Sequence, residues 1–397
     1  MRILLILPGL LISITSHSQI TTNFNPERAK DMAELCNSFT HLDLYGDDKS
    51  VIPKGYKKTF TSDDIGMDNK FQVYKKKNDI GVIHIRGSTK NPKSWMANIN
   101  SAMIPAKGTM TFDGKPFDYT FAKTPEAAVH SGYVISIAAM RGLILKHIRR
   151  LNEQGIYDII ITGHSQGGAL TNMLMAYLSN LPDETLDPKN TFKAYAFAAT
   201  MIGNDIFAKE YRIRYCDKGL SYNIVNPEDP ITRLPLSYKN NEKEMLVNNL
   251  KRFMNEEQSL NFQQMLTDGA ALLLQENLDT LVYNTSKRLN RNIERELGPL
   301  ELPERKDDHN YQYLCNRQEI EPVEYPKVLK DSSMLENEEL VTGYERTEEG
   351  HFKNEEFYKD ESWNYQHKPY NYYAGFLKTY FPKEYEALEP KYLDENL

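Results

Sequence analysis

Cysteine and tryptophan are scarce in this chain of 397 residues, at 3 and 2 respectively. So few cysteines exclude a disulfide-built scaffold, and Cys36, Cys216 and Cys315 do not have the spacing of a metal site. They allow one disulfide and one free thiol, with the pairing open. Basic charge is not in surplus: 48 lysines and arginines stand against 55 aspartates and glutamates, a net charge of −7. That balance argues against nucleic acid and against an electrostatic hold on anionic membranes. Beyond the start of the chain no apolar run is long enough to span a bilayer. There is no internal repeat and no low-complexity tract.

What is present begins with an export pattern. Arg2 precedes a short apolar core, Ile3 to Ile14, and Ser16-His17-Ser18 supplies small residues for cleavage. Residues 1–18 are therefore read as a signal peptide, with Gln19 opening the mature chain and a secreted or periplasmic location following. No cysteine lies nearby to carry a lipid anchor.

Apolar spacing predicts a helix over 27–41 and a strand pair at 71–74 and 80–85 joined by the polar turn Lys75 to Asp79. A mostly helical stretch covers 126–154, and further strands lie at 192–197 and 222–226. Strands alternating with helices imply an α/β fold, with a mostly parallel sheet and helices on both faces. Residues 242–296 are charged and helix-favouring, and 297–360 read as loop. The chain divides accordingly into a core at 19–240, a helical insertion at 241–305 and a C-terminal part at 306–397.

The most informative segment is Ile159-Ile160-Ile161-Thr162-Gly163-His164-Ser165-Gln166-Gly167-Gly168-Ala169. A β-branched strand runs into a G-x-S-x-G pentad and then into small helix-compatible residues. That is the strand–turn–helix context of a nucleophile elbow, in which a strained turn lifts a serine hydroxyl above a helix N-terminus. A serine nucleophile needs a base, and the base needs an orienting carboxylate. Asp229 is the candidate carboxylate, on a proline-braced loop after the strand Tyr222–Asn226, with Glu228 as its neighbouring competitor. His367, His309 and His351 follow it as candidate bases; His309, among charged residues, reads as a solvated loop histidine. The oxyanion donors are expected to be the Gln166 N–H and a group on the loop Arg86-Gly87-Ser88-Thr89, which ends a strand.

Arg86-Gly87-Ser88, Trp95, Val129-His130-Ser131-Gly132-Tyr133, Gly163 to Ala169, and Asp229-Pro230 with Arg233-Leu234-Pro235 occur here in one order. Over roughly residues 70–236, plus a short C-terminal piece, the chain resembles the class 3 lipases, the fungal-lipase-like branch of the α/β hydrolases. The resemblance implies an α/β-hydrolase fold with a helical insertion before the catalytic histidine. By it Ser165 is the nucleophile, Asp229 the acid, and Ser88 and Gln166 the oxyanion-hole residues; His130 corresponds to a histidine that is usually structural. The family's base precedes a tyrosine by three positions, a spacing met by His367 and Tyr370 and not by His309.

The implied activity is hydrolysis of carboxylic esters, acylglycerol or phospholipid, through an acyl-enzyme on Ser165. The implied partner is the lipid or ester substrate, with transient contact at a lipid interface and no nucleic acid; no cofactor or metal is required. Two departures stand out. The insertion separates Asp229 from His367 by far more than is usual. The segment after Trp95 is also less apolar than an interfacial lid (Asn98, Asn100, Lys107). The apolar centre of the insertion, Met265 to Leu274, is expected either over the acyl-binding cleft or in a helical pair packed on the core far from the site. The competing readings are an esterase or thioesterase for soluble substrates and an inactive hydrolase-fold binding protein, which a serine-directed probe would not label.

Overall fold

The computed structural model describes residues 20–77, 79–235, 278–315, 317–337 and 342–397. The expected signal peptide at 1–18 and the stretch Met265–Leu274 lie outside the described residues. In chain order the elements begin with α1 (Pro26–Cys36), α2 (Ser38–Tyr45), β1 (Tyr56–Thr61), β2 (Phe71–Lys76) and β3 (Ile80–Ile85). Next come α3 (Pro92–Ile99), β4 (Met103–Pro105), β5 (Lys107–Phe112), β6 (Lys115–Thr120), β7 (Ala128–His130) and α4 (Ser131–Asn152). The central units are β8 (Asp158–His164), α5 (Gln166–Leu178), β9 (Thr191–Phe197), α6 (Asp205–Tyr211) and β10 (Ser221–Val225). The described part of the insertion holds α7 (Leu278–Leu297) and β11 (Leu300–Glu301), and β12 (Arg317–Glu319), α8 (Pro369–Tyr380) and α9 (Pro382–Ala387) follow it.

The main sheet has seven strands in the order β1-β2-β3-β8-β9-β10-β12. The first two pairings are antiparallel, and β3, β8, β9, β10 and β12 run parallel to one another. Strands β3 and β8 are buried along their whole length, as expected of parallel strands covered on both faces. Successive side chains point to opposite faces. Ile159 and Ile161 accordingly join the core beneath α4 and α5, and Ile160 joins the core beneath α1 and α8.

Three sequence expectations change. The helix expected over 126–154 starts at Ser131, because Ala128–His130 pair with Met103–Pro105 as a short strand. Part of the supposed loop, Arg317–Glu319, extends the main sheet parallel to β10; three polar residues carry no strand signal. His309 is buried, with 2% of its surface exposed, and is not solvated. Its neighbours tie the loop down: Lys306 N–H donates to Met103 O, Asp308 accepts from the Asn204 side chain, and Tyr311 O–H donates to Ser101 O.

Cys216 and Cys315 form the disulfide, and Cys36 is the free, buried thiol. The bridge binds the chain just before β10 to the chain just before β12. Small sheets on the α4 side, β11-β5-β6 and β4-β7, carry the inserted helix α7 toward α3.

Candidate active site

The elbow is built by close approach of backbones. Ser165 sits between β8 and α5 with φ 59° and ψ −125°, a conformation that costs roughly 1–3 kcal/mol for a residue with a side chain. The strain is tolerated because the surroundings fix it. Ser165 N–H donates to Phe197 O at 3.0 Å, and Ser165 O accepts from Ala169 N–H. A Cβ on Gly163 would lie 2.4 Å from Gly167 O, and one on Gly167 would lie 2.2 Å from Ile85 O. Only glycine fits at either position.

The serine hydroxyl meets an imidazole that comes from 202 residues away. Ser165 Oγ lies 2.7 Å from His367 Nε2, and His367 Nδ1 lies 2.7 Å from Asp229 Oδ2. A carboxylate can only accept, so Nδ1 carries the proton and Nε2 is left to accept from the serine. His367 ends a short helical turn, and Pro369 then starts α8, which fixes the direction of the loop. Asp229 follows β10 as the N-cap of a single turn and is wholly buried. Its carboxylate accepts from Ile231 N–H at 2.9 Å and from Tyr372 O–H at 2.7 Å, besides the imidazole. A buried charge this well supplied with donors is tolerable. Glu228 is exposed, and its backbone N–H donates to Asn226 Oδ1 at 2.9 Å.

His164 packs its ring 4.8 Å from the His367 ring. Burial, followed by the neighbouring His367, holds His164 well below the usual imidazole range. It is therefore neutral, and a proton arriving on His367 meets no second cation there. Burial likewise pushes His130 down to about 3. That ring stacks on Tyr133 at 4.0 Å and lies 3.2 Å from Asn98 O, a packing position.

Ser88 and Gln166 stand beside the serine. Gln166 opens α5, where the N–H has no acceptor within the helix. Ser88 Oγ accepts from Asn98 Nδ2 at 2.8 Å and donates its own hydrogen to Gln166 Oε1 over a long 3.4 Å, a contact that an oxyanion can replace. The Gln166 side chain bonds Ser94 O at 3.0 Å. Thr89 is held from the other side by Asp68, to which Arg86 is also paired.

The structure thus brings together Ser165, Asp229, His367, Ser88 and Gln166. It leaves His309 in its buried loop and His351 half-buried near Tyr358. Tyr370, at the spacing expected of the family, donates to Pro390 O instead of to the site. Sequence reading missed Tyr372 and Asn98. Tyr372 sits one helical turn beyond Lys368 with an aromatic signal shared by its neighbours, and Asn98 has no signal at all.

Residues 82–239 match the model of the class 3 lipases. The matched stretch holds the elbow and ends just beyond the Asp229 loop, so the chain is similar to the class 3 lipases over the segment that carries those motifs. Over 159 residues it is 26% identical to secreted mono- and diacylglycerol lipase 1 of Fusarium solani, a match that covers 39% of this chain and 39% of that protein. The chain thus spans well under half the length of the curated relative it matches. Among solved structures it is similar to a mono- and diacylglycerol lipase from Aspergillus oryzae, with 20% identity, 54% of this chain and 75% of that one covered, and a TM-score of 0.40. It is also similar to a lipase from Rhizopus microsporus var. chinensis, with 18% identity, coverage of 53% and 69%, and a TM-score of 0.38.

Proposed function

We propose that this protein is an exported serine hydrolase of carboxylic esters, acting on acylglycerol or phospholipid through an acyl-enzyme on Ser165. One observation carries the reading: the unbroken line of hydrogen bonds from Ser165 Oγ through His367 to the buried Asp229, at 2.7 Å for each link.

In this reading Ser165 Oγ attacks the ester carbonyl carbon as its proton passes to His367 Nε2. The carbonyl oxygen becomes an oxyanion and accepts from the Ser88 hydroxyl and the Gln166 N–H. The tetrahedral centre collapses, the C–O bond to the alcohol breaks, and the alkoxide takes the proton from His367. Water then gives a proton to His367 and attacks the acyl-enzyme. Collapse releases the carboxylic acid and returns the proton to Ser165. Asp229 holds the imidazole in the tautomer that leaves Nε2 free, and stabilises the imidazolium in each half-reaction. The name of the Fusarium solani relative supports both export and a glyceride ester as substrate.

The test is Ser165→Ala, assayed with a panel of esters of graded chain length, dissolved and emulsified. A folded variant should lose hydrolysis by several orders of magnitude. Near-wild-type activity in that variant would remove the assignment.

A further inference from the structure

Helix α3 is the piece of structure that touches both oxyanion-hole residues. Asn98 donates to Ser88 Oγ, and Ser94 O accepts from the Gln166 side chain. Thr89 N–H donates to Ser94 Oγ, and Trp95 Nε1 donates to Thr89 O at 2.9 Å. If α3 shifts, the Ser88 donor shifts with it.

On its other side α3 is held by the inserted helix. Lys93 Nζ pairs with Glu296 at 2.6 Å, and Asn100 Nδ2 donates to Asn290 Oδ1 at 2.7 Å. Ala102 N–H donates to Ser286 Oγ at 3.3 Å. Between these polar contacts Leu289 and Ile293 are buried in the same core as Met96 and Ala97. Ser286, Leu289, Asn290, Ile293 and Glu296 recur at helical spacing, so one face of α7 makes all of these contacts.

We propose that α7 is a positioning clamp: by fixing α3 it keeps the Ser88 donor assembled without a lipid surface, so that dissolved monomeric esters are turned over as well as aggregated ones. The proposal rests on the hydrolase reading above and adds the physical state of the substrate. A helix that lay loose over the site would have to be placed at each turnover, or by an interface. A clamped one has already met that ordering cost in the fold. Asn98 is, on the same argument, a positioning residue that acts through Ser88. It satisfies the acceptor side of the hydroxyl, whose proton rests on Gln166 Oε1 at 3.4 Å and turns from that long contact to the developing oxyanion.

The experiment uses the full chain and a p-nitrophenyl butyrate series carried through the solubility limit, with thermal melts to confirm folding. The wild-type rate should rise hyperbolically with no break at the limit. Asn290→Leu removes the acceptor facing Asn100. A displaced donor costs less than an absent one, so kcat on the dissolved ester should fall about tenfold with KM within about twofold. Rate should return when an emulsified interface is added. A merely structural loss would lower activity in both states alike.

Lys93→Glu provides a second arm. It should show a smaller fall of the same kind, restored in the Lys93→Glu, Glu296→Lys double variant. A break in the wild-type curve, or an unchanged kcat in a folded Asn290→Leu protein, overturns the clamp. An active-site phosphonate separates the two levels. Labelling at Ser165 together with interface-dependent wild-type activity sinks the clamp alone. No labelling and no hydrolysis of any ester sinks the hydrolase reading and the clamp with it.

Discussion

Removing one oxygen atom from Tyr372 should damage both stability and turnover, whereas the same change at Tyr370 should not. The Tyr372 ring is 1% exposed, and its hydroxyl donates to Asp229 Oδ2 at 2.7 Å while accepting from Asn226 N–H at 3.1 Å. Tyr372→Phe keeps the ring and its packing. It strips a charged hydrogen bond, worth about 1.5–3 kcal/mol, and leaves a buried N–H without its acceptor, at about 1–3 kcal/mol. Because both losses come from one hydroxyl, and the site can partly relax, about 2–4 kcal/mol of folding stability should go. Asp229 keeps His367 and Ile231 N–H, so the imidazole is loosened and not released. A drop in kcat/KM of about tenfold, or about 1.4 kcal/mol, follows. Tyr370→Phe loses only a bond to Pro390 O and should cost about 1 kcal/mol of stability with kcat/KM unchanged. Urea unfolding and hydrolysis of a soluble p-nitrophenyl ester read the two quantities. Equal kcat/KM in the two variants would refute the assignment of Tyr372 to the carboxylate.

The acid and the pH dependence can be checked in the same way. Asp229→Asn should lower kcat by roughly 10³–10⁴, since an amide no longer selects the right imidazole tautomer. Glu228→Gln, at an exposed position, should stay within about twofold; the reverse order would exchange the two roles. Glu34, on α1 against Tyr373 and Glu384, has a carboxyl pushed up from 4.5 to about 7, first by burial and then by Asp31. It binds its proton more tightly folded than unfolded, so its contribution is complete below pH 4.5 and is lost as pH rises toward 7. Denaturation midpoints across that window should fall by an amount that Glu34→Gln abolishes, on the order of 3 kcal/mol at most. Parallel curves for wild type and variant would show that Glu34 is better solvated than its position indicates.

The elbow was legible because all of its determinants are local. A β-branched strand, glycines where backbones touch, and small residues opening a helix fall within about a dozen positions. The loop of Asp229 was legible for the same reason, with Pro230 beside it. The imidazole was not local. Three histidines competed, and the spacing to Tyr370 favoured His367, although Tyr370 itself bonds elsewhere and Tyr372 meets the carboxylate. His309 misled because charged neighbours look solvated until their partners, such as Asn204 for Asp308, are known. Strand β12 and the contact between Asn100 and Asn290 were not legible. Pairing with a distant edge, or across 190 residues, leaves no local pattern.

The disulfide between Cys216 and Cys315 has a further consequence for the integrity of the chain. Ser165, Cys216 and Asp229 precede residues 236–277, whereas Cys315 and His367 follow them. A protease site engineered into that stretch would yield a two-chain protein whose reacting groups are divided between the chains, yet still covalently joined. Cleavage alone should leave one particle. Reduction after cleavage should turn assembly of the hydrogen-bonded line into a bimolecular event held by β12 on β10, β11 on β5, α7 on α3 and α8 against α1, so that activity begins to depend on dilution. The bridge thus makes this protein a natural starting point for a split reporter gated by thiol redox state.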